Sequence, residues 1–490
     1  MKFFKKFASF AICAGFVGCS IFGLSACSNS ELTQEGPSAT DFVVGNGGLA
    51  VQKGDYLYFV NGYVEQDGME KATQEKDIVH SAIYRIKLTD GKVIEAAKEK
   101  DKDGNEIDNG SQKLEKLCKV VSKVSGFKYS NLYIFGDYLY YSTPNTRVPG
   151  KNEETTDNSG NLLDHIDFYR VKLDGSHEQR IYSCSSTNEN TQVAMFNFGD
   201  KYYQVVKDGD KLVLTVNNGK VVNATISEKV NEVAFPKTSE DEGFDINQYM
   251  LYSEDIDEDG TGTQIVAYDL NSGNKTVIVG GVDQTYKLFG ISGNCLYYTY
   301  QNSQSVGAYI YCLDYNEARE NSKFVSTQVS DMVYSTTITA FVPASSDYQG
   351  SFFYTDGSNT YYRQVSLNAS VKYDFSKDKK IASSNILSNV VSVQDNKIYY
   401  NDSGLKYVDF MVDNPTSVSA ITEDSPLNSD VSDFDVDGSK IFYLVQHNDN
   451  YYLHYTNTVK LDAQDSTKPY HHFVGELLEA DYDKQESESD

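Results

Sequence analysis

The sequence predicts an all-β fold made of repeated four-stranded sheets, and three observations lead to that prediction. First, a turn containing Gly, Asp or Asn is followed eight times by a short strand rich in tyrosine. Second, from position 137 onward these turns recur at steps of 43 to 63 residues, which suits one four-stranded unit per step. Third, no long stretch has the 3.6-residue periodicity of an amphipathic helix.

The second of the eight copies shows the unit most clearly. Its first strong strand, at 136–141, is Gly-Asp-Tyr-Leu-Tyr-Tyr, and the answering strand at 168–173 is Phe-Tyr-Arg-Val-Lys-Leu. Segments at 131–135 and 179–182 predict an inner and an outer strand beside this pair. One such sheet cannot bury both of its faces, so the copies must stack, and a closed ring protects their edges. The pattern therefore predicts a β-propeller of seven or eight four-stranded blades.

The other copies follow the same scheme. The first pairs 54–59 with 83–88, and the remaining copies start near residues 199, 249, 293, 350, 395 and 438. Two copies are degenerate, which leaves the number of blades open. We expect either 42–44 or a late strand at 472–474 to complete a mixed blade and close the ring. The rival folds are a row of β-sandwich domains and an open β-solenoid, although sandwiches would not repeat one strand-pair motif.

The repeated strings resemble those of a known class of propellers. Tyr-Leu-Tyr-Tyr at 138–141, Phe-Tyr-Arg-Val-Lys-Leu-Asp-Gly at 168–175 and Phe-Tyr-Thr-Asp at 353–356 are similar to Tyr-Trp-Thr-Asp propeller repeats. They are closer still to propeller-like domains of unknown function on surface lipoproteins of Gram-positive bacteria. The resemblance implies a propeller and an exported setting, and it supplies no catalytic residues. The chain departs from receptor, quinoprotein and sialidase propellers because it has no Trp.

The amino terminus has the three parts of an export signal. Lysines lie within 1–6, an apolar run spans 7–24, and two small residues precede Cys27. The run is too short, and too rich in Gly and Ser, to predict a membrane span. Leu-Ser-Ala-Cys at 24–27 resembles the lipobox of bacterial lipoproteins, which implies cleavage before Cys27 and a diacylglycerol on its thiol. The alternatives are a plain secretory signal with an incidental Cys and an uncleaved anchor.

The predicted organisation has four parts: a lipoprotein signal peptide at 1–26, a lipidated Cys27 with a flexible tether at 27–41, the propeller at 42–475 and an acidic tail at 476–490. The chain after residue 26 has 40 basic and 70 acidic residues, a net charge of −30. Such a surface repels nucleic acid and anionic headgroups, so we expect membrane contact through the lipid at Cys27 alone. We expect a monomer that faces the extracellular or envelope side of the cell membrane.

Four cysteines follow Cys27, at positions 118, 184, 295 and 312. Their number and spacing predict neither a disulfide framework nor a zinc site. Cys295 and Cys312 fall on neighbouring predicted strands, so a cross-strand bridge and a pair of buried thiols are both open.

One acidic string has the spacing of a calcium-binding loop. Asp255, Asp257 and Asp259 alternate before Gly260, so three hard oxygen ligands can converge on one ion where the chain bends. The helix–loop–helix version of this loop needs a Glu at its twelfth position, and Val266 stands there instead. Calcium is therefore the one cofactor that the sequence suggests, and a solvated acidic hairpin is the alternative.

No motif of a known catalytic site occurs in the chain. It lacks His-Glu-x-x-His, Gly-x-Ser-x-Gly and a Gly-rich phosphate loop. The aspartates at 433–437 alternate with Phe and Val, which predicts a half-buried strand. The 38 tyrosines include several doublets, which put one ring on each face of a strand. These rings either pack between sheets or line a ligand site at the mouth of the propeller.

These observations predict a surface-anchored propeller that binds an extracellular protein, peptide or glycan without catalysis. The alternative is a hydrolase or lyase that acts on extracellular polysaccharide with carboxylates in the propeller funnel. A third hypothesis is a structural module of a larger envelope assembly. The fold alone does not choose among them, because propellers host both binding and catalysis.

Overall fold

A computed structural model of the chain describes residues 42–62, 79–88, 118–124, 130–144, 165–187, 190–198, 201–235, 249–256, 261–292, 295–302, 309–314, 326–328, 341–342, 350–365, 378–394, 396–420, 431–437, 440–447, 450–457, 472–474 and 481–482. These residues form 33 β-strands and one short 3-10 turn, Leu387–Asn389. Among them there is no helix long and apolar enough to cross a membrane.

The strands form consecutive antiparallel meanders of four strands each. Meander 1 contains β1 (Ala50–Lys53), β2 (Tyr56–Gly62), β3 (Val79–Lys87) and β4 (Cys118–Val124). Meander 2 contains β5 (Tyr133–Phe135), β6 (Tyr138–Pro144), β7 (His165–Lys172) and β8 (Gln179–Thr187). Meander 3 contains β9 (Thr191–Phe198), β10 (Lys201–Asp208), β11 (Lys211–Asn217) and β12 (Lys220–Ser227). Meander 4 contains β13 (Val230–Ala234), β14 (Tyr249–Asp255), β15 (Gly262–Asp269) and β16 (Lys275–Val282).

The second half of the chain continues in the same way. Meander 5 contains β17 (Gln284–Ser292), β18 (Cys295–Asn302), β19 (Tyr309–Asp314) and β20 (Ser326–Gln328). Meander 6 contains β21 (Phe341–Val342), β22 (Gly350–Thr355), β23 (Thr360–Val365) and β24 (Lys379–Ala382). Meander 7 contains β25 (Val390–Gln394), β26 (Lys397–Asn401), β27 (Leu405–Asp409) and β28 (Ser417–Ser419). Meander 8 contains β29 (Val431–Asp437), β30 (Lys440–His447), β31 (Asn450–Asn457) and β32 (His472–Val474).

The predicted all-β propeller is confirmed. The tyrosine-rich repeat of the sequence is the second strand of every meander, and each predicted answering strand is the third. Six meanders are separate sheets, whereas meanders 1 and 8 share one nine-stranded sheet because Gly62 of β2 pairs with Tyr451 of β31. The ninth strand, β33 (Asp481–Tyr482), pairs with β3. The eight meanders thus form seven sheets, and of the two blade numbers that the sequence left open the structure supports seven.

Strands from both ends of the chain meet in the nine-stranded sheet, but residues 42–44 do not form one of them. Residues 472–474 form the outer strand of meander 8, next to β31, so that meander comes entirely from the carboxyl-terminal part of the chain. Residues 42–44 contribute only an isolated bridge between Val44 and Ile134. The expectation was wrong for 42–44, because a short apolar string carries no information about which distant strand it joins.

Neighbouring meanders pack face to face through the tyrosine doublets. Tyr202 lies in the apolar core between meanders 2 and 3, and Tyr203 lies in the core between meanders 3 and 4. Tyr399 and Tyr400 are divided in the same way between the two neighbours of meander 7. Phe442 of meander 8 belongs to the core of meander 1, which closes the ring. For these doublets packing, and not the lining of a ligand site, is the role that the structure shows.

Successive strands of each meander run in opposite directions, so the turns between them lie on two opposite faces of the ring. The lower face carries the turns between first and second strands, such as 54–55 and 136–137, and those between third and fourth strands, such as 218–219. The upper face carries the turns between second and third strands, such as 209–210, and the links to the next meander, such as 228–229. The first strands line the central channel and the fourth strands face solvent, as the largely exposed β12 shows.

The segment before β1 runs through the channel. Val43 N donates to Asn197 Oδ1 (2.7 Å) on β9, and Val44 forms its bridge with β5 through bonds of 2.8 and 2.9 Å. Asn46 Nδ2 then donates to Asp435 Oδ1 (2.9 Å) on β29, and Leu49 N donates to Asp435 Oδ2 (3.1 Å). Because β5, β9 and β29 are all first strands, residues 42–49 join three sides of the channel.

The positions of Cys295 and Cys312 bear on whether they form a cross-strand bridge. Cys312 is a thiol that is 1% exposed, and Cys184 is a second buried thiol. The register pairs Cys312 with Tyr297 and Cys295 with Asp314, so the two cysteines are offset along their strands and do not face each other directly. Cys312 is therefore a buried thiol, and the register does not support a bridge to Cys295.

Candidate binding pocket on the upper face

A polar pocket of about 390 Å³ lies on the upper face above meander 4. Its volume falls within the range of small-ligand sites. Meander 3 contributes the second-to-third-strand turn, meander 4 contributes the beginnings of β13 and β15, and meander 5 contributes the beginning of β17. The lining residues are Lys207, Asp210, Val230, Asn231, Glu232, Thr263, Thr285, Tyr286 and Lys287.

A β-bulge shapes the floor of the pocket. In the pairing of β13 with β14, Val230 lies opposite Glu254 and Val233 opposite Tyr252, so two residues of β13 face only Ser253. The buried Ser253 hydroxyl accepts from Glu232 N (3.1 Å) and donates to Glu232 Oε2. Bulges of this kind redirect side chains and are common beside functional sites. This one fixes the Glu232 carboxylate at the pocket wall.

The opposite wall is held in place by Thr263. Its hydroxyl accepts from Tyr286 N (2.6 Å) and donates to Tyr286 O (2.9 Å), which ties the beginning of β17 to meander 4. Tyr286 in turn packs with Tyr300 and Tyr298, at ring-centre separations of 5.2 and 6.0 Å. Burial raises the pKa of Tyr286 and raises the pKa of Tyr298 to about 12, so both phenols stay neutral at physiological pH.

Charges of both signs line the pocket. Lys207 Nζ donates to Gly209 O (2.6 Å) at the turn, so its ammonium is held at the rim. Lys287 and Asp210 are both exposed, and neither side chain makes a hydrogen bond or ion pair with another described residue. With Glu232 included, two cations and two anions surround the cavity. In a chain whose net charge is −27, this is a local balance that suits a ligand bearing both charges.

The first aspartate of the predicted calcium loop borders this pocket. Asp255 ends β14, and its Oδ1 accepts a hydrogen bond of 2.8 Å from Nδ2 of the pocket residue Asn231. Asp257 and Asp259 lie outside the described residues, as does Gly260. Among the residues that are described, no group of three His, Cys, Asp or Glu side chains is placed to hold a metal. Calcium binding at this loop stays a prediction.

The other predicted sites have different outcomes. Cys27, with the signal and the tether, lies outside the described residues, so lipidation also stays a prediction. The predicted strand at 433–437 is confirmed as β29. Its middle residue, Asp435, was expected on the polar side of that strand, yet it is only 8% exposed because it binds the channel segment.

The hydrolase alternative requires carboxylates on the wall of the central channel, which the first strands form. Acidic residues of the first strands occur only at Glu232 and within 433–437. Glu232 is bound by Ser253, and Asp435 is bound by Asn46 and Leu49. Both carboxylates thus have hydrogen-bond partners among the described residues. The side chains of Asp433 and Asp437 lie outside that description, so the hydrolase alternative stays a prediction.

Two features of the channel and the pocket were missed from the sequence. The run Gly-Asn-Gly-Gly at 45–48 was not singled out in the sequence, but a Cβ on Gly48 would lie 1.8 Å from Asp435 Oδ2. Such a glycine-dense string directly before a strand is a usable signal of close backbone approach. The pocket itself left no such signal, because its residues come from three meanders and no local motif connects them.

Comparisons with known proteins find similarity in backbone alone. No protein-family model matches the chain, and no curated protein sequence matches it. A structure from a study of two prolyl endopeptidases is 12% identical, with 69% of this chain and 48% of that chain covered at a TM-score of 0.40. This chain thus spans about half the length of the endopeptidase.

Two further structures illustrate the range of proteins with similar backbones. Oligogalacturonate lyase in complex with manganese is 12% identical over 60% of this chain and 85% of its own, at a TM-score of 0.36. The β-propeller domain of the Trilobed protease from Pyrococcus furiosus is 10% identical over 70% and 99%, at 0.33. At these values no activity is transferred, and the propeller assignment depends on the strand topology of this chain.

Proposed function

We propose that the protein is a membrane-anchored extracytoplasmic lipoprotein whose propeller binds an extracellular ligand in the upper-face pocket. The observation that carries the proposal is the pocket itself: a bulge held by Ser253 and a wall held by Thr263 fix polar groups around one cavity. The signal at 1–26 and the lipobox-like residues before Cys27 support the anchor.

A peptide segment fits the chemistry of the pocket better than a glycan or a polyanion. The pocket offers ammonium groups from Lys207 and Lys287 and carboxylates from Asp210 and Glu232. A ligand with both charges gains charge-assisted hydrogen bonds on both sides. A polyanion would meet the two carboxylates and the acidic body of the protein, and a neutral sugar would leave the charged groups without partners.

The ligand class is tested by calorimetry on the soluble chain that begins at residue 42. We expect triglycine with free termini to bind, and N-acetylated or amidated triglycine and maltotriose to bind more weakly. Lys287→Gln and Asp210→Asn should each weaken triglycine binding by about tenfold, equivalent to roughly 1.4 kcal/mol. Lys211→Gln is the matched control, because Lys211 lies on the same face but pairs with Glu228 (3.3 Å) outside the pocket.

The outcomes separate the versions of this proposal. Tighter binding of maltotriose than of triglycine would move the ligand class to glycans. No binding of any probe at millimolar concentration would remove the pocket as the binding site.

The anchor is tested separately in cells. Cys27→Ser should remove acylation and release the protein from the membrane fraction, whereas Cys19→Ser, within the signal, should leave both unchanged. Membrane retention of the Cys27→Ser protein would identify an uncleaved anchor instead.

A further inference from the structure

The direction of the channel segment shows on which face the chain enters the ring. Val44 pairs with Ile134 of β5 in antiparallel fashion, and Leu132 N donates to Gly48 O (3.3 Å). The segment therefore runs opposite to β5, which itself runs toward the lower-face turn at 136–137. Residue 42 must then lie nearer the lower face than residue 48.

The contact with meander 3 gives the same direction independently. Val43 N donates to Oδ1 of Asn197, which is the residue before the last of β9, next to the lower-face turn at 199–200. Phe42, one residue earlier, is 57% exposed. Phe42, the first described residue, thus lies at the lower-face end of the channel.

We propose that the lower face of the propeller points toward the membrane and that the upper-face pocket points away from it. This inference depends on the proposed lipid anchor at Cys27. It adds a surface assignment: partners in the extracellular space meet the upper face, and the lower face is shielded by the bilayer.

The length of the tether limits reorientation of the ring. If residues 27–41 form the predicted flexible tether, its root-mean-square span would be about 20 Å and its fully extended length about 50 Å. A domain of about 430 residues has a radius of gyration of about 22 Å, which corresponds to a sphere of roughly 28 Å radius. To turn the upper face to the membrane, the tether would have to run from the centre of the lower face to the rim, and then an equal distance along the side of the domain. Twice the radius of roughly 28 Å exceeds the extended tether length of about 50 Å.

Exposed apolar side chains do not by themselves choose between the two orientations. Met411 (44% exposed) and Val412 (45% exposed) lie between β27 and β28, on the same face as Phe42. Apolar groups at a membrane-facing surface lose less by dehydration than charged ones. Val282 (62% exposed), the last residue of β16, is on the upper face, so the exposed apolar groups are not confined to one side.

Natural lysines on the two faces provide the test. Lys220 and Lys275 begin β12 and β16 on the lower face, and Lys211 and Lys229 lie on the upper face; all four are exposed. The lipidated full chain is reconstituted on phosphatidylcholine vesicles and labelled with a bulky, membrane-impermeant amine reagent. For each lysine, mass spectrometry compares the labelling rate on vesicles with that of the soluble chain.

We expect labelling of Lys220 and Lys275 to slow severalfold on vesicles and labelling of Lys211 and Lys229 to stay unchanged. Doubling the tether by repeating residues 28–41 should reduce the protection. Equal protection on both faces, or protection of the upper face, would overturn the orientation while leaving the anchor intact. Failure of the protein to float with vesicles in a Cys27-dependent manner would instead overturn the anchor, and the orientation with it.

Discussion

Leu49 N donates a buried hydrogen bond of 3.1 Å to Asp435 Oδ2, and the two residues are 386 positions apart in the chain. The bond joins the beginning of the first meander to the innermost strand of the last one. Asn46 Nδ2 donates to the other oxygen of the same carboxylate at 2.9 Å, and Asn46 Oδ1 accepts from Gly48 N at 2.9 Å. The ring is thus secured by a carboxylate that accepts from two donors of the channel segment.

Replacing Asp435 should destabilise the ring. In Asp435→Asn, one of the two acceptor oxygens becomes an amide that faces a donor, so we expect a loss of about 1–3 kcal/mol in the free energy of unfolding by urea. Asp409→Asn is the control, since Asp409 accepts only an exposed bond from Met411 N (3.0 Å). Equal stability of the two variants would show that the Asp435 contacts do not secure the ring.

Gly48→Ala tests the same contact between the channel segment and Asp435, with the change made in the channel segment. Its Cβ would overlap Asp435 Oδ2, so we expect a large loss of stability in urea unfolding. The double variant Gly48→Ala with Asp435→Ala removes the overlap and should be less destabilised than the sum of the single changes. If the losses in unfolding free energy of the two single variants simply add up in the double variant, the destabilisation by Gly48→Ala does not come from overlap with Asp435.

A second interaction couples the third and fourth strands of meander 6. Asp378 binds the Arg363 guanidinium and accepts from the Tyr354 hydroxyl, with both charged side chains largely buried. Asp378→Ala should cost roughly 3–5 kcal/mol of unfolding free energy, because the largely buried Arg363 would lose the carboxylate that binds its guanidinium. The exposed pair of Lys406 and Asp402 (2.7 Å) offers the control, and Asp402→Ala should cost under about 1 kcal/mol.

A fourth prediction concerns the pH dependence of stability. Burial alone would raise the pKa of Asp208, but hydrogen bonds from Ser185 N, Ser186 N and the Tyr182 hydroxyl outweigh it and hold the pKa below its usual value. The carboxylate therefore stabilises the fold above the unfolded pKa of about 3.9, and this contribution is lost as the pH falls further.

The measurement for Asp208 is urea unfolding of the parent and Asp208→Asn proteins between neutral and acidic pH. At pH 7 the variant should be less stable by about 1–3 kcal/mol, and the gap should narrow below about pH 4. Asp210→Asn is the control on the same turn. A gap that widens on acidification would contradict the lowered pKa.

The calcium prediction is tested by calorimetry and thermal unfolding. If the loop that begins at Asp255 binds calcium, a free calcium concentration of ten times the dissociation constant should stabilise the fold by about 1.4 kcal/mol. Asp257→Asn with Asp259→Asn should abolish this gain. Asp433→Asn, in the string predicted as a strand, should leave it unchanged. Absence of both heat and stabilisation in the parent protein would identify the loop as a solvated hairpin.

Local patterns determined much of this protein. Turns such as 136–137 and the alternating strand that follows at β6 are encoded within about ten residues, since turn chemistry and the two-residue period act on neighbours. The repeat therefore located the second strand of every meander, and the doublets correctly placed one ring on each face, as Tyr202 and Tyr203 do.

Tertiary structure alone decided how the ring closes and where the pocket lies. Asp435 belongs to a string that reads as an ordinary half-exposed strand, and only the arrival of Leu49 from the other end of the chain explains its burial. The pocket likewise requires Asp210, Glu232 and Lys287, which three meanders bring together. The alternation of apolar and polar residues along a strand predicts which side of the strand is apolar. It does not predict which distant segment will cover the other side.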